Sequence, residues 1–173
     1  MAIHLKQSDQ IEKMHTAGQV VREVLDRLGE LVAIGLTTEE LDAEAEMICR
    51  TRGAECLFKG VPGRGRAGPF PGSICASINE EVVHGIPSTD RVLLDGDIVS
   101  VDFGVKLDGW CADAARTYLV GAVSEDVRRL VEATKHCLDI AIERMTPDGV
   151  WSSAARSMQI GRASCRERVC HRV

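Results

Sequence analysis

Apolar and polar residues alternate from Val99 to Leu107: Val99, Val101, Phe103, Val105 and Leu107 against Ser100, Asp102, Gly104 and Lys106. A period of two predicts a strand with one buried face. Asp108-Gly109 follows, the dipeptide that a two-residue type I′ turn prefers, so the pattern predicts a hairpin continuing through "WCADAARTY". In that register Leu107 faces Trp110, Val105 faces Ala112 and Gly104 faces Asp113. Alternate residues share a face, which makes Asp102 and Asp113 diagonal neighbours about 7–8 Å apart at the backbone. Gly104 leaves room between them. The other face, with the valines, Phe103, Trp110, Ala112 and Ala114, is expected against a core.

Helical spacing dominates elsewhere. Ile11, Met14, Val20, Val21, Val24, Leu25, Leu28 and Leu31 predict an amphipathic helix over 8–33 with Ser8 as N-cap. Thr37 and Glu40 form a capping box for a second helix, which Gly53 can end. Residues 55–58 read as a short strand, and "GVPGRGRAGPFPG" (60–72) as a loop. Its G-x-G-x-x-G is no dinucleotide fingerprint, because Pro69-Phe70-Pro71-Gly72 stands where the helix would have to begin. "SICASINEEVVHGIPS" (73–88) predicts a strand, a turn near Asn79-Glu80 and a return strand to His84. Ser124, with Glu125 and Asp126, opens a helix to about Met145, and another starts at 151. The order helix, break, second helix recurs there, a faint internal echo of the N-terminal pattern.

Two carboxylates held this close repel, so one is protonated or a cation lies between them. The aspartates could also stay hydrated, or pair with Lys106 or Arg116. Carboxylate oxygens suit hard or borderline divalent ions, and two ligands alone make a poor site.

The chain has 173 residues, 45% hydrophobic and 27% charged, enough for one domain or part of one. No apolar run approaches a membrane span, and no signal-peptide pattern opens the chain. Seven cysteines without CxxC spacing favour free thiols in a reducing cytoplasm. A net charge of −5 and few aromatics argue against a specific nucleic-acid binder.

Together, "FPGSICASINEEVVHGIPS" and "GDIVSVDFGVKLDGWCADAARTY" resemble type I methionine aminopeptidases, a likeness running from about residue 4 to 159. The resemblance implies an α+β pita-bread (creatinase/aminopeptidase) fold, truncated after the first helix-helix-hairpin half and the start of the second. It implies removal of the initiator methionine from nascent chains, at the ribosome and in the cytoplasm. It also implies two divalent ions (Co, Mn, Fe or Zn) that activate water. By motif Asp102 and Asp113 match two metal ligands, and His84 the histidine that contacts substrate and assists catalysis. Cys75 and Phe70 fall where the family lines the methionine side-chain pocket. On its own His84 reads as a surface-loop histidine before a Gly-Ile-Pro turn.

The family's later Gly-His-Gly stretch and two glutamates have no counterpart after Asp113, so the chain as written is expected to be inactive. "VPGRGRAG" replaces the histidine and tyrosine frequent before the pocket. Other readings are a related Xaa-Pro peptidase and a non-catalytic pita-bread binding module. Residues 1–159 are read as the partial catalytic domain. "IGRASCRERV" resembles a short-read sequencing adapter translated in frame, so 160–173 are expected to be a non-native tail; a basic RNA-contacting arm is the other reading.

Overall fold

The computed structural model describes residues 4–63 and 68–159, so the expected tail over 160–173 lies outside the described residues. They divide into two compact units, one ending at Ala122 and one starting at Val123. In the first, the elements run α1 (Ser8–Leu31), α2 (Thr38–Thr51), β1 (Glu55–Cys56), β2 (Ile74–Ile78), β3 (Ile98–Leu107) and β4 (Trp110–Leu119). The second contains α3 (Glu125–Arg144) and a helix over 151–159.

β3 organises the sheet. β4 pairs along its whole length, from Ile98 opposite Leu119 to Leu107 opposite Trp110. The other edge is shared: β2 takes the Val99–Phe103 stretch, and β1 takes Val105 and Lys106. All pairings are antiparallel. The turn has φ of 49° at Asp108 and 84° at Gly109, the two positive values a type I′ turn requires.

One face of β3 carries the core. Val99, Val101, Phe103 and Val105 are fully buried, and α1 meets them with Val20, Val24, Leu25 and Leu28. Leu41, Ala45 and Cys49 of α2 join the same cluster. The last turns of α1 bind β4 directly: Tyr118 Oη donates to the Leu25 carbonyl at 2.5 Å, and Arg116 pairs with Asp26 at 2.7 Å. Gly29 makes space for the ring, since a Cβ there would stand 2.9 Å from Tyr118 Cε1.

Some expectations change. Gln7, not Ser8, caps α1, through a reciprocal pair of bonds with Gln10, so Ser8 becomes the first helical residue. Ile11 and Met14 stay exposed, because the α1 residues that enter the core begin at Ala17. Ala114 is exposed and Trp110 half-buried, because α1 engages β4 at Arg116 and Tyr118; Lys6 Nζ lies 5.5 Å from the Trp110 ring centre. No return strand follows β2. The Glu81 carboxylate bonds back to Ile78 N at 2.9 Å and His84 takes a φ of 62°, so the chain leaves the extended conformation. The Thr37–Glu40 capping box and the Ser124 cap form as predicted.

Asp42 joins α2 to β2. It is 6% exposed and accepts from Ser73 N at 2.6 Å and Ile74 N at 2.9 Å. These donors start the strand that carries Cys75. Replacing Asp42 with alanine leaves two buried N–H groups unpaired, each costing about 1–3 kcal/mol. Asp42→Ala should therefore lose about 2–4 kcal/mol in urea unfolding; a loss below about 1 kcal/mol would mean water replaces the carboxylate.

Candidate functional site

The face of β3 away from the α1 helix carries the chemistry. Asp102 stands opposite Cys75 on β2 and Ala115 on β4, and Gly104 stands opposite Asp113. Asp102 and Asp113 are thus diagonal neighbours on one face, in the register the turn dictates. A Cβ at position 104 would stand 2.8 Å from Asp113 Oδ2 and 3.2 Å from Phe58 Cε1. The missing side chain is the space that Asp113 occupies.

Neither nearby cation neutralises the pair. Arg116 is engaged with Asp26 on the opposite face, and Lys106 lies 3.4 Å from Glu55. Asp102 Oδ1 is buried with no hydrogen-bond partner. Burial, then the charge of Asp113, raise the Asp102 carboxyl above its ordinary 3.8, while His84 pulls the other way.

His84 reaches this face from the loop after β2, whose position three contacts set. Glu81 forms a two-pronged pair with Arg91, both bonds at 2.7 Å. Gly85 N donates to Ser77 Oγ at 3.0 Å, and Gly85 O accepts from Ala76 N at 2.9 Å. A Cβ on Gly85 would fall 2.1 Å from the Ala76 carbonyl oxygen, so only glycine lets the loop lie on β2. On the other side, Phe70 exchanges backbone bonds with Gly60 and Val61, both at 2.8 Å, closing the base of the glycine-rich loop. The chain then enters β2 and not a helix, which removes the helix N-terminus a dinucleotide phosphate site needs.

All five residues singled out from the sequence, Phe70, Cys75, His84, Asp102 and Asp113, line one cavity of about 640 Å³. Phe58, Val61, Pro69, Pro71 and Ile86 complete an apolar wall. Sequence reasoning did not reach these, because a loop's apolar residues have no period to show which way they face. Burial and the two aspartates push the Cys75 thiol up to about 11. It is therefore a protonated, soft wall and not a nucleophile.

Among the described residues, no group of three or more His, Cys, Asp or Glu side chains is placed to hold a metal ion. The two carboxylates have the right donor chemistry for a divalent ion, and the orphaned Asp102 oxygen lacks a partner such an ion would supply. They are too few to enclose one.

Residues 12–164 match the model of metallopeptidase family M24. The chain belongs to this family. Methionine aminopeptidase from Clostridium acetobutylicum is 41% identical over 157 residues, covering 91% of this chain and 60% of that protein. The solved methionine aminopeptidase from Thermotoga maritima superposes with a TM-score of 0.76 at 36% identity, over 84% of this chain and 55% of that one. Aminopeptidase PepP of Pseudomonas aeruginosa has a TM-score of 0.78 but 21% identity, over 95% of this chain and 35% of its own, a likeness of fold alone. This M24 chain thus spans a little over half the length of the methionine aminopeptidases it matches. Its architecture is the corresponding part of the α+β pita-bread fold. Among the described residues, no helix is long and apolar enough to cross a membrane.

The raised Asp102 carboxyl has a thermodynamic sign. Folding takes up a proton over the range between 3.8 and the higher folded value, so stability falls as pH rises through it. Asp102→Asn should be more stable than the parent at neutral pH with chelator present, and the gap should close as pH drops below 3.8. Urea melts across pH check this; a gap that is constant or of opposite sign would show that Asp102 is not a buried charge.

Proposed function

We propose that residues 1–159 are part of a methionine aminopeptidase, carrying the substrate wall and two of the metal ligands, and that 160–173 have no part in its chemistry. The convergence of Phe70, Cys75, His84, Asp102 and Asp113 on one cavity, with an unpartnered carboxylate oxygen at its floor, carries this reading. Phe70 and Cys75 receive the methionine side chain, where a thioether meets an aromatic ring and a sulfur. His84, on a loop pinned to β2, hydrogen-bonds the scissile peptide.

Asp102 and Asp113 hold divalent metal, of which Co, Mn, Fe and Zn all suit such donors. When bound, the metal pair supplies an acidified water and positive charge for the developing oxyanion. The remaining donors come from the part of the relatives that this chain does not span. The substrate is the N-terminal methionine of nascent chains with a small second residue, met in the cytoplasm near the ribosome. An Xaa-Pro specificity is less well supported, since the solved X-Pro aminopeptidase of Thermotoga maritima is 25% identical to this chain, against 36% for the methionine aminopeptidase of that organism.

Cobalt(II) titration followed by visible absorption tests the ligands. The chain should bind weakly, lose the signal in Asp113→Asn and leave Met-Ala-Ser uncleaved. Losing a partner that only orients a ligand costs roughly 10–100-fold. In the full-length product of the source gene, Asp102→Asn should therefore lower kcat for Met-Ala-Ser by about 100-fold or more. Binding unaffected by Asp113→Asn, or a full-length product inert toward Met-Ala-Ser, would overturn the reading.

A further inference from the structure

Two thiols meet where α2 hands over to β1, outside the cavity. Cys49 sits in the last turn of α2 and is 1% exposed. Cys56 stands on β1 opposite Val105 and is half-buried. The connection folds back at once: Arg52 N donates to Ile48 O and Ala54 N to Cys49 O, both at 3.0 Å, and Gly53 turns with a φ of 66°. The reversal lays Cys56 against the apolar cluster that contains Cys49. Both are free thiols. Burial, and next the Cys56 thiol beside it, push Cys49 up to about 12.

We infer that Cys49 and Cys56 are a dithiol pair that a small-molecule disulfide oxidises to an intramolecular bond tying α2 to β1. Cys56, the more accessible, reacts first: its thiolate attacks one sulfur of glutathione disulfide and releases one glutathione thiolate. Cys49 then gives its proton to solvent, and its sulfur attacks Cys56 Sγ, expelling the second glutathione. Two protein thiols and one glutathione disulfide become one protein disulfide and two glutathiones. The high resting value of Cys49 makes closure slow, since few thiolates are present to attack. The bond lies next to the site without entering it: Leu57 N donates to Gly104 O at 2.9 Å, and Phe58 lines the cavity.

Glutathione redox buffers, acid quenching and peptide mass mapping test this on the intact chain. Trypsin cuts after Arg50 and Arg52, so the bond appears as two joined peptides. The joined pair should form in the folded chain and vanish in Cys56→Ser. Cys75, whose titratable neighbours are carboxylates, should stay reduced under the same conditions. Because a short loop can also close at random, the equilibrium is compared with that in urea. The folded chain should favour the disulfide at least about tenfold more than the unfolded chain. Equal preference in urea, or oxidation of Cys75 and Cys111 without the joined pair, would overturn the inference.

Discussion

The register of the β3–β4 hairpin is the constraint on which the rest depends. Side chains alternate across a sheet, so a slip of β4 by one residue against β3 would turn β4 over, carrying Asp113 to the core face and parting it from Asp102. The positive φ values at Asp108 and Gly109 prevent that slip by closing a two-residue loop. The same turn decides that Phe103 meets α1 and that Asp102 and Asp113 are left together. Core and site are two readings of one pairing.

Electrostatics reinforces the separation. Arg116 and Lys106 flank the aspartates in sequence, yet they are drawn to Asp26 and Glu55 on neighbouring elements. Neither Arg116 nor Lys106 is left to neutralise the pair, and the cost of burying Asp102 falls on folding. On the proposed reading that the two carboxylates are metal ligands, their mutual repulsion weighs against folding until an ion and further donors arrive. The chain belongs to family M24 and spans 60% of the length of its Clostridium acetobutylicum relative.

The hairpin was legible because two independent local signals, alternation and Asp-Gly, demanded the same register. His84 was legible only through its motif, since a lone histidine in a polar loop has no pattern. Asp42 was hidden: an acidic residue between Leu41 and Ala43 in a helix reads as solvent-facing, and nothing local tells that two strand amides lie across from it. The expected return strand to His84 failed for a similar reason. Val82 and Val83 invite extension, but the Glu81 bond to Ile78 N and the seating of Gly85 on β2 are contacts that propensity does not contain. The apolar wall of the cavity was invisible for lack of any period.

Positions 104 and 85 shape the site by what they lack. Asp113 fits in the volume a methyl group would take, and the His84 loop rests where a methyl group would strike a carbonyl. Most site properties can be adjusted by degrees, through a longer side chain or a weaker charge. An absence has no intermediate values, since no residue is larger than glycine and smaller than alanine. Any evolutionary path, or engineering effort, that reshapes this cavity must therefore move along the walls at Phe58, Phe70 and Ile86. The two voids act as fixed points around which variation is permitted.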